Sequence, residues 1–246
     1  MTTQGTAAGL VDWRTVERLT ALIPAGPSAS RSARASSVAV LRRSAQEAPA
    51  WVARITGLNR AAQQVAETTR VSVVDRAGLV RASTRALRGL MEQVPAPPAS
   101  EAIQLVGAAE VAGAMSLLAT RLLGQVVPAA PSGTRGHGGG SAGPAHPSGE
   151  GDGEGDDVVT SGTAPARDVT TGEGWDGAAS PHLLLVAPNV LAVRRQMDLD
   201  MLDLPAWVCL HEMTHAVQLA AAPWLGPYLS DSMRMVIGAV VEAAYG

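Results

Sequence analysis

His211, Glu212 and His215 form a His-Glu-x-x-His run inside the stretch Trp207 to Gln218. On a helix, residues four apart share a face, so the two imidazoles point the same way. Their nitrogens can then meet one metal ion at about 2.0–2.1 Å each, the distance zinc takes to histidine. Glu212 follows His211 and falls about 100° further round the helix, close to the ion without having to bind it. That is where a general base takes a proton from a water at the metal. The spacing is the one a zinc hydrolase helix uses. A catalytic zinc also takes a third protein ligand. Downstream in this chain, Asp231 and Glu242 are the acidic candidates. Asp231 has a sufficient role at the N-terminus of its own helix. Glu242 is left as the in-chain candidate, one helix on, where a returning antiparallel helix could aim it at the metal.

The pair needs a helix under it, and the flanking residues supply one. Asp203 is a suitable cap, Pro205 is tolerated in a first turn, and Pro223 stops the run. Trp207, Val208, Leu210, Met213, Val217 and Leu219 provide apolar positions, as in a helix buried on most sides. Before it, Leu183 to Ala187 is an apolar run of strand length, followed by a short helix over about Val190 to Met197. This run could lie beside the cleft and hold an extended peptide by backbone pairing, or serve as a core strand. After it, a last helix spans about Ser230 to Ala244.

The N-terminal part reads as a succession of helices. Asp12 caps one through Ile23, and Pro24 ends it. Two more follow, about Ser32 to Glu47 and Pro49 to Leu58, with Gly57 near the second stop and Val38, Val40, Leu41, Val52 and Ile55 buried. Val71 to Asp75 alternates like a short strand. A helix runs from about Leu79 to Val94, and Pro95-Ala96-Pro97-Pro98 breaks it. Ser100 caps a long helix to about Gln125. Its apolar stretch from Ala102 to Ala119 is interrupted by Gln104 and Glu110, and reads as a buried helix and not as a membrane span.

From Pro131 to Ser180, Gly, Ser, Pro, Asp and Glu dominate, and little there can offset ordering entropy. We read it as a disordered Gly-rich insertion in which His137 and His146 are solvated. It separates an N-terminal helical part, 1–130, from a second part, 181–246. The fold class is mainly α (α+β), helical with a small, short-stranded sheet.

Composition narrows the partners. Hydrophobic residues make up 46% of the chain but Phe is absent, so the core is built from Leu, Val, Ala, Ile and Met. Every basic residue is Arg, and the net charge of −3 argues against a nucleic-acid surface. The first ten residues carry no basic and apolar leader pattern. The single Cys209 cannot form an internal disulfide and suits a small core position. A cytoplasmic location without membrane contact is expected.

The chain resembles an actinobacterial family of zincin-like proteins, labelled hydrolases, zinc-dependent metallopeptidases or proteins associated with deazaflavin coenzyme biosynthesis. The segments that carry the resemblance are Val11-Asp12-Trp13, Val73-Val74-Asp75-Arg76, Leu122-Leu123-Gly124-Gln125, Leu184 to Asn189, and Trp207 to His215. The resemblance implies zinc as cofactor, His211 and His215 as ligands and Glu212 as catalytic base. It also implies a zincin-like helical domain that continues past Gly246, with a carboxylate ligand there, so that 181–246 is a C-terminally truncated part.

Three functions remain open. One is a zinc metallopeptidase or amide hydrolase acting on a peptide or amide substrate. A second is a zinc-binding protein without turnover that serves as a binding or regulatory module. The third is a helical structural protein with a fortuitous motif.

Overall fold

A computed structural model describes residues 5–127 and 181–245. The Gly-rich stretch, with His137 and His146, lies outside the described residues. Short β1 (Gly5–Thr6) leads through a 3-10 turn (Ala7–Leu10) into α1 (Trp13–Thr20), α2 (Arg31–Thr56) and α3 (Asn59–Thr68). Next come β2 (Arg70–Val74), α4 (Arg76–Met91), β3 (Pro95–Ala96), α5 (Glu101–Arg121) and β4 (Gly124–Val127). The second part holds β5 (His182–Val186), α6 (Ala187–Gln196), α7 (Asp203–Ala221) and α8 (Leu225–Tyr245). The mainly helical fold with small sheets is as the residue pattern predicts.

The helix starts follow local chemistry. Asp12 accepts from the backbone N–H groups of Arg14 and Thr15, Asp75 from Gly78, and Ser100 from Ile103. Each satisfies a donor that the first turn leaves orphaned. α2 differs from the two predicted helices: it passes unbroken through Pro49 to a left-handed Gly57 cap. A proline inside a helix costs about 3 kcal/mol. Here Leu41, Ala45, Ala48, Pro49 and Val52 are buried along one side, and that packing outweighs the penalty. Ile55 is 74% exposed, so it leaves the predicted core. α3 has no counterpart among the predicted elements; it buries Ala61, Ala62 and Val65.

The main sheet has the order β2-β5-β4. β2 runs parallel to β5 with Val73 opposite Leu185, and β4 runs antiparallel with Gly124 opposite Leu185. The two predicted parts of the chain thus share one sheet. β4 occupies residues assigned from sequence to the end of the long helix. α5 stops at Arg121 because Leu122 turns extended, at φ −71° and ψ 134°. A second, minimal sheet pairs β1 with β3 antiparallel.

The largest core lies on one face of the three-stranded sheet. Leu183 and Leu185 of β5 pack with Leu41, Ala45, Ala48 and Val52 of α2, with α3, and with Val208, Cys209, Met213, Ala216 and Val217 of α7. Each fully buried Leu, Val or Met side chain contributes about 1.5–3 kcal/mol. α5 buries only its Ala108, Ala112, Met115 and Ala119 stripe, and Leu105, Val106 and Leu117 face outward. Among the described residues it is the one helix long and apolar enough to cross a membrane by length and composition.

Candidate metal centre

α7 begins at Asp203, which stands in the first turn instead of capping it; the residue before it, Leu202, makes no side-chain cap bond. Pro205 lies within the first turn, and the helix ends before Pro223. One side of α7 is sealed into the core through Leu204, Val208, Met213 and Val217. Trp207, His211, His215 and Gln218 make up the other, exposed side. Trp207 was expected among the buried positions, yet it is 58% exposed.

The two histidines meet at their Nε2 atoms, 3.3 Å apart, with the rings edge to face. Two nitrogens bound at about 2.0–2.1 Å to one tetrahedral ion lie about 3.3 Å apart. The pair therefore fits two corners of a zinc site with no rearrangement of the helix. His215 Nδ1 lies 3.1 Å from Gln218 Oε1, and the indole of Trp207 stacks on the His211 ring.

Glu212 sits half-buried at the inner edge of this face. Burial pushes its carboxyl above the ordinary value of 4.5, and the neighbouring His211 and His215 pull the other way. The site's second wall is the start of β4. A β-carbon on Gly124 would stand 2.7 Å from Glu212 Cγ, so only glycine lets the strand approach the glutamate this closely.

Asn189 fixes the entry to that strand. It is 1% exposed; its Nδ2 donates to Ala119 O at 2.8 Å and to Leu122 O at 2.7 Å. Its Oδ1 accepts from Arg76 Nε at 2.7 Å, and Val186 N donates to Leu123 O at 2.9 Å. Every polar atom of this buried amide side chain is engaged, as burial requires.

Glu242 is not brought to the histidines. It is exposed on α8, whose Ile237 and Val241 pack on Ala7, Leu10, Val94 and Ala96 instead. Asp231 pairs with Arg234 on the same helix. Among the described residues no group of three or more His, Cys, Asp or Glu could hold a metal ion. Cys209 is fully buried, and its thiol, pushed up to about 12 mainly by burial with Glu212 adding to it, is a core group. β5 is paired on both edges, so it cannot receive a peptide by backbone pairing; among the described strands β4 is the free edge beside α7.

Gly124, Asn189 and Gln218 were given no role by sequence reasoning, although Gly124 and Asn189 lie in segments that carry the resemblance. Gln218 had a readable signal, since it stands three residues beyond His215 on the same helix face. The roles of Gly124 and Asn189 depend on contacts distant in the chain.

A family model described as a zincin-like metallopeptidase matches residues 11–243. No curated protein and no solved structure matches the chain.

Proposed function

The chain belongs to the zincin-like metallopeptidase family, and from that premise we propose that it is a zinc-dependent hydrolase of peptide or amide bonds. His211 and His215 would hold the metal and Glu212 would act as general base. The observation that carries the reading is the 3.3 Å approach of the two Nε2 atoms with Glu212 between them and β4. Bound zinc supplies Lewis acidity, which polarises a scissile carbonyl and makes a water easier to deprotonate near neutral pH.

Glu212 then takes the proton from the attacking water and later delivers it to the leaving amine. Its raised affinity for a proton suits both steps, because a base poised nearer neutrality also serves as an acid. Core packing of Val208, Met213 and Val217 fixes α7, and β4 limits where the carboxylate can move. We assign the substrate an extended conformation along the free edge of β4, held by backbone hydrogen bonds. The third protein ligand that a catalytic zinc takes is proposed to come from outside the described residues.

The test is hydrolysis of a peptide library by the zinc-loaded chain, with Glu212→Gln as control. Cleavage by the parent that the variant lacks supports the reading. Stoichiometric zinc with no cleavage supports a zinc-binding module instead, and no specific zinc overturns both.

A further inference from the structure

The two imidazoles are held by different means, and both means lie on α7 itself. His215 Nδ1 approaches Gln218 Oε1 at 3.1 Å while Nε2 faces His211. An amide oxygen can only accept, so Nδ1 is the donor. Neutral His215 then keeps its proton on Nδ1 and presents a lone pair at Nε2, the atom that faces the partner ring. His211 has no hydrogen-bond partner at Nδ1 among the described residues; its ring is stacked under Trp207, with centroids 5.3 Å apart and planes 15° from parallel. Both supports stand on the exposed side of the helix, away from the core.

Resting on the reading of the pair as zinc ligands, we propose that Gln218 and Trp207 are positioning residues for the metal. Gln218 sets the tautomer of His215, and Trp207 sets the ring plane of His211. Residues 207, 211, 215 and 218 follow one another at four, four and three positions, so they stack as one stripe along a single helix. Among the described residues, the pair is thereby oriented by its own helix.

The chemistry of the partner matters as well as its position. A histidine ligand usually gives its second N–H to a carboxylate, a backbone carbonyl or water. A carboxylate would raise the basicity of the ligand; the neutral amide of Gln218 orients the ring without adding charge. Gln218→Glu is therefore expected to tighten zinc binding, and Gln218→Leu to weaken it.

The experiment uses the full chain and four variants, Gln218→Leu, Gln218→Glu, Trp207→Leu and Trp207→Phe, each checked for an unchanged thermal midpoint. Long-range proton–nitrogen spectra of the metal-free protein near neutral pH read the tautomers directly. The parent should show His215 protonated on Nδ1, and Gln218→Leu should lose that preference. Competition with a chelator reads zinc affinity. Gln218→Leu should lose about 10–100-fold, Gln218→Glu should exceed the parent, and Trp207→Leu should fall below it while Trp207→Phe recovers.

Parental tautomer and parental affinity in Gln218→Leu would overturn the role of Gln218. Parental affinity in Trp207→Leu would overturn that of Trp207. A parent chain that takes up no zinc defeats the proposed function, whereas the tautomer spectra need no metal and still decide on Gln218.

Discussion

Gly124 and Glu212 share a contact that leaves no room for a side chain: a β-carbon on the glycine would lie 3.0 Å from the glutamate Cδ and 3.1 Å from Oε1. The strand backbone is therefore the surface against which the proposed base rests. Both the position of the carboxylate and its partial loss of water follow from this approach.

Gly124→Ala should displace Glu212, because the backbone on one side and the helix on the other cannot both yield. Overpacking of this kind costs about 1–3 kcal/mol. Thermal melts should show that loss, and kcat for peptide cleavage should fall while zinc content stays at the parental level. An unchanged kcat would show that the carboxylate tolerates the shift.

Glu212→Gln should keep zinc and abolish cleavage, since Glu212 is proposed as the base and not as a ligand. A pH signature accompanies it in metal-free protein. Burial favours the neutral carboxyl, so the folded form titrates above the ordinary 4.5. Between the unfolded and folded values the folded chain binds the extra proton, and stability falls as pH rises through that window. Glutamine carries no such loss. Denaturant melts with chelator present should find the variant level with the parent below that window and gaining on it as pH rises through the window, with the difference constant above it.

Asn189→Ala should cost about 1–3 kcal/mol, because it leaves the carbonyls of Ala119 and Leu122 buried without this donor and frees Arg76 Nε from its acceptor. Since Leu122 is two residues before Gly124, hydrogen exchange at the β4 amides should quicken as well. Parental exchange there would separate Asn189 from the site.

Cys209 should resist thiol reagents in the folded chain and react on unfolding, given full burial and a thiol pushed up to about 12. Cys209→Ala should retain zinc. Loss of metal in that variant would make the sulfur a ligand.

The helix α7 is legible in the sequence because its signal is local. Two histidines four apart, a proline in the first turn and a proline past the end need no tertiary information. The strand β5 is legible for the same reason, as an unbroken run of Leu and Val. β4 is hidden, because Leu122 and Leu123 extend the apolar pattern of α5 and only pairing with β5 makes Gly124 to Val127 a strand. Pro49 misleads in the opposite direction: its local penalty is real, and burial beside Ala48 and Val52 overrides it. Trp207 reads as core because it is large and apolar, yet it lies on the exposed face of α7 with the histidines.

The order of the strands in space differs from their order in time. β5 is the middle strand and is made last, after β2 and β4, with residues 128–181 between β4 and β5. A chain leaving the ribosome therefore carries two strands that lack their common partner, each with an unpaired edge open to other chains. Pairings so distant in sequence form slowly. β4 gains its backing, and with it a fixed place beside α7, only after the segment holding β5 has emerged. The proposed hydrolytic capacity is thus withheld from the polypeptide throughout most of its own synthesis.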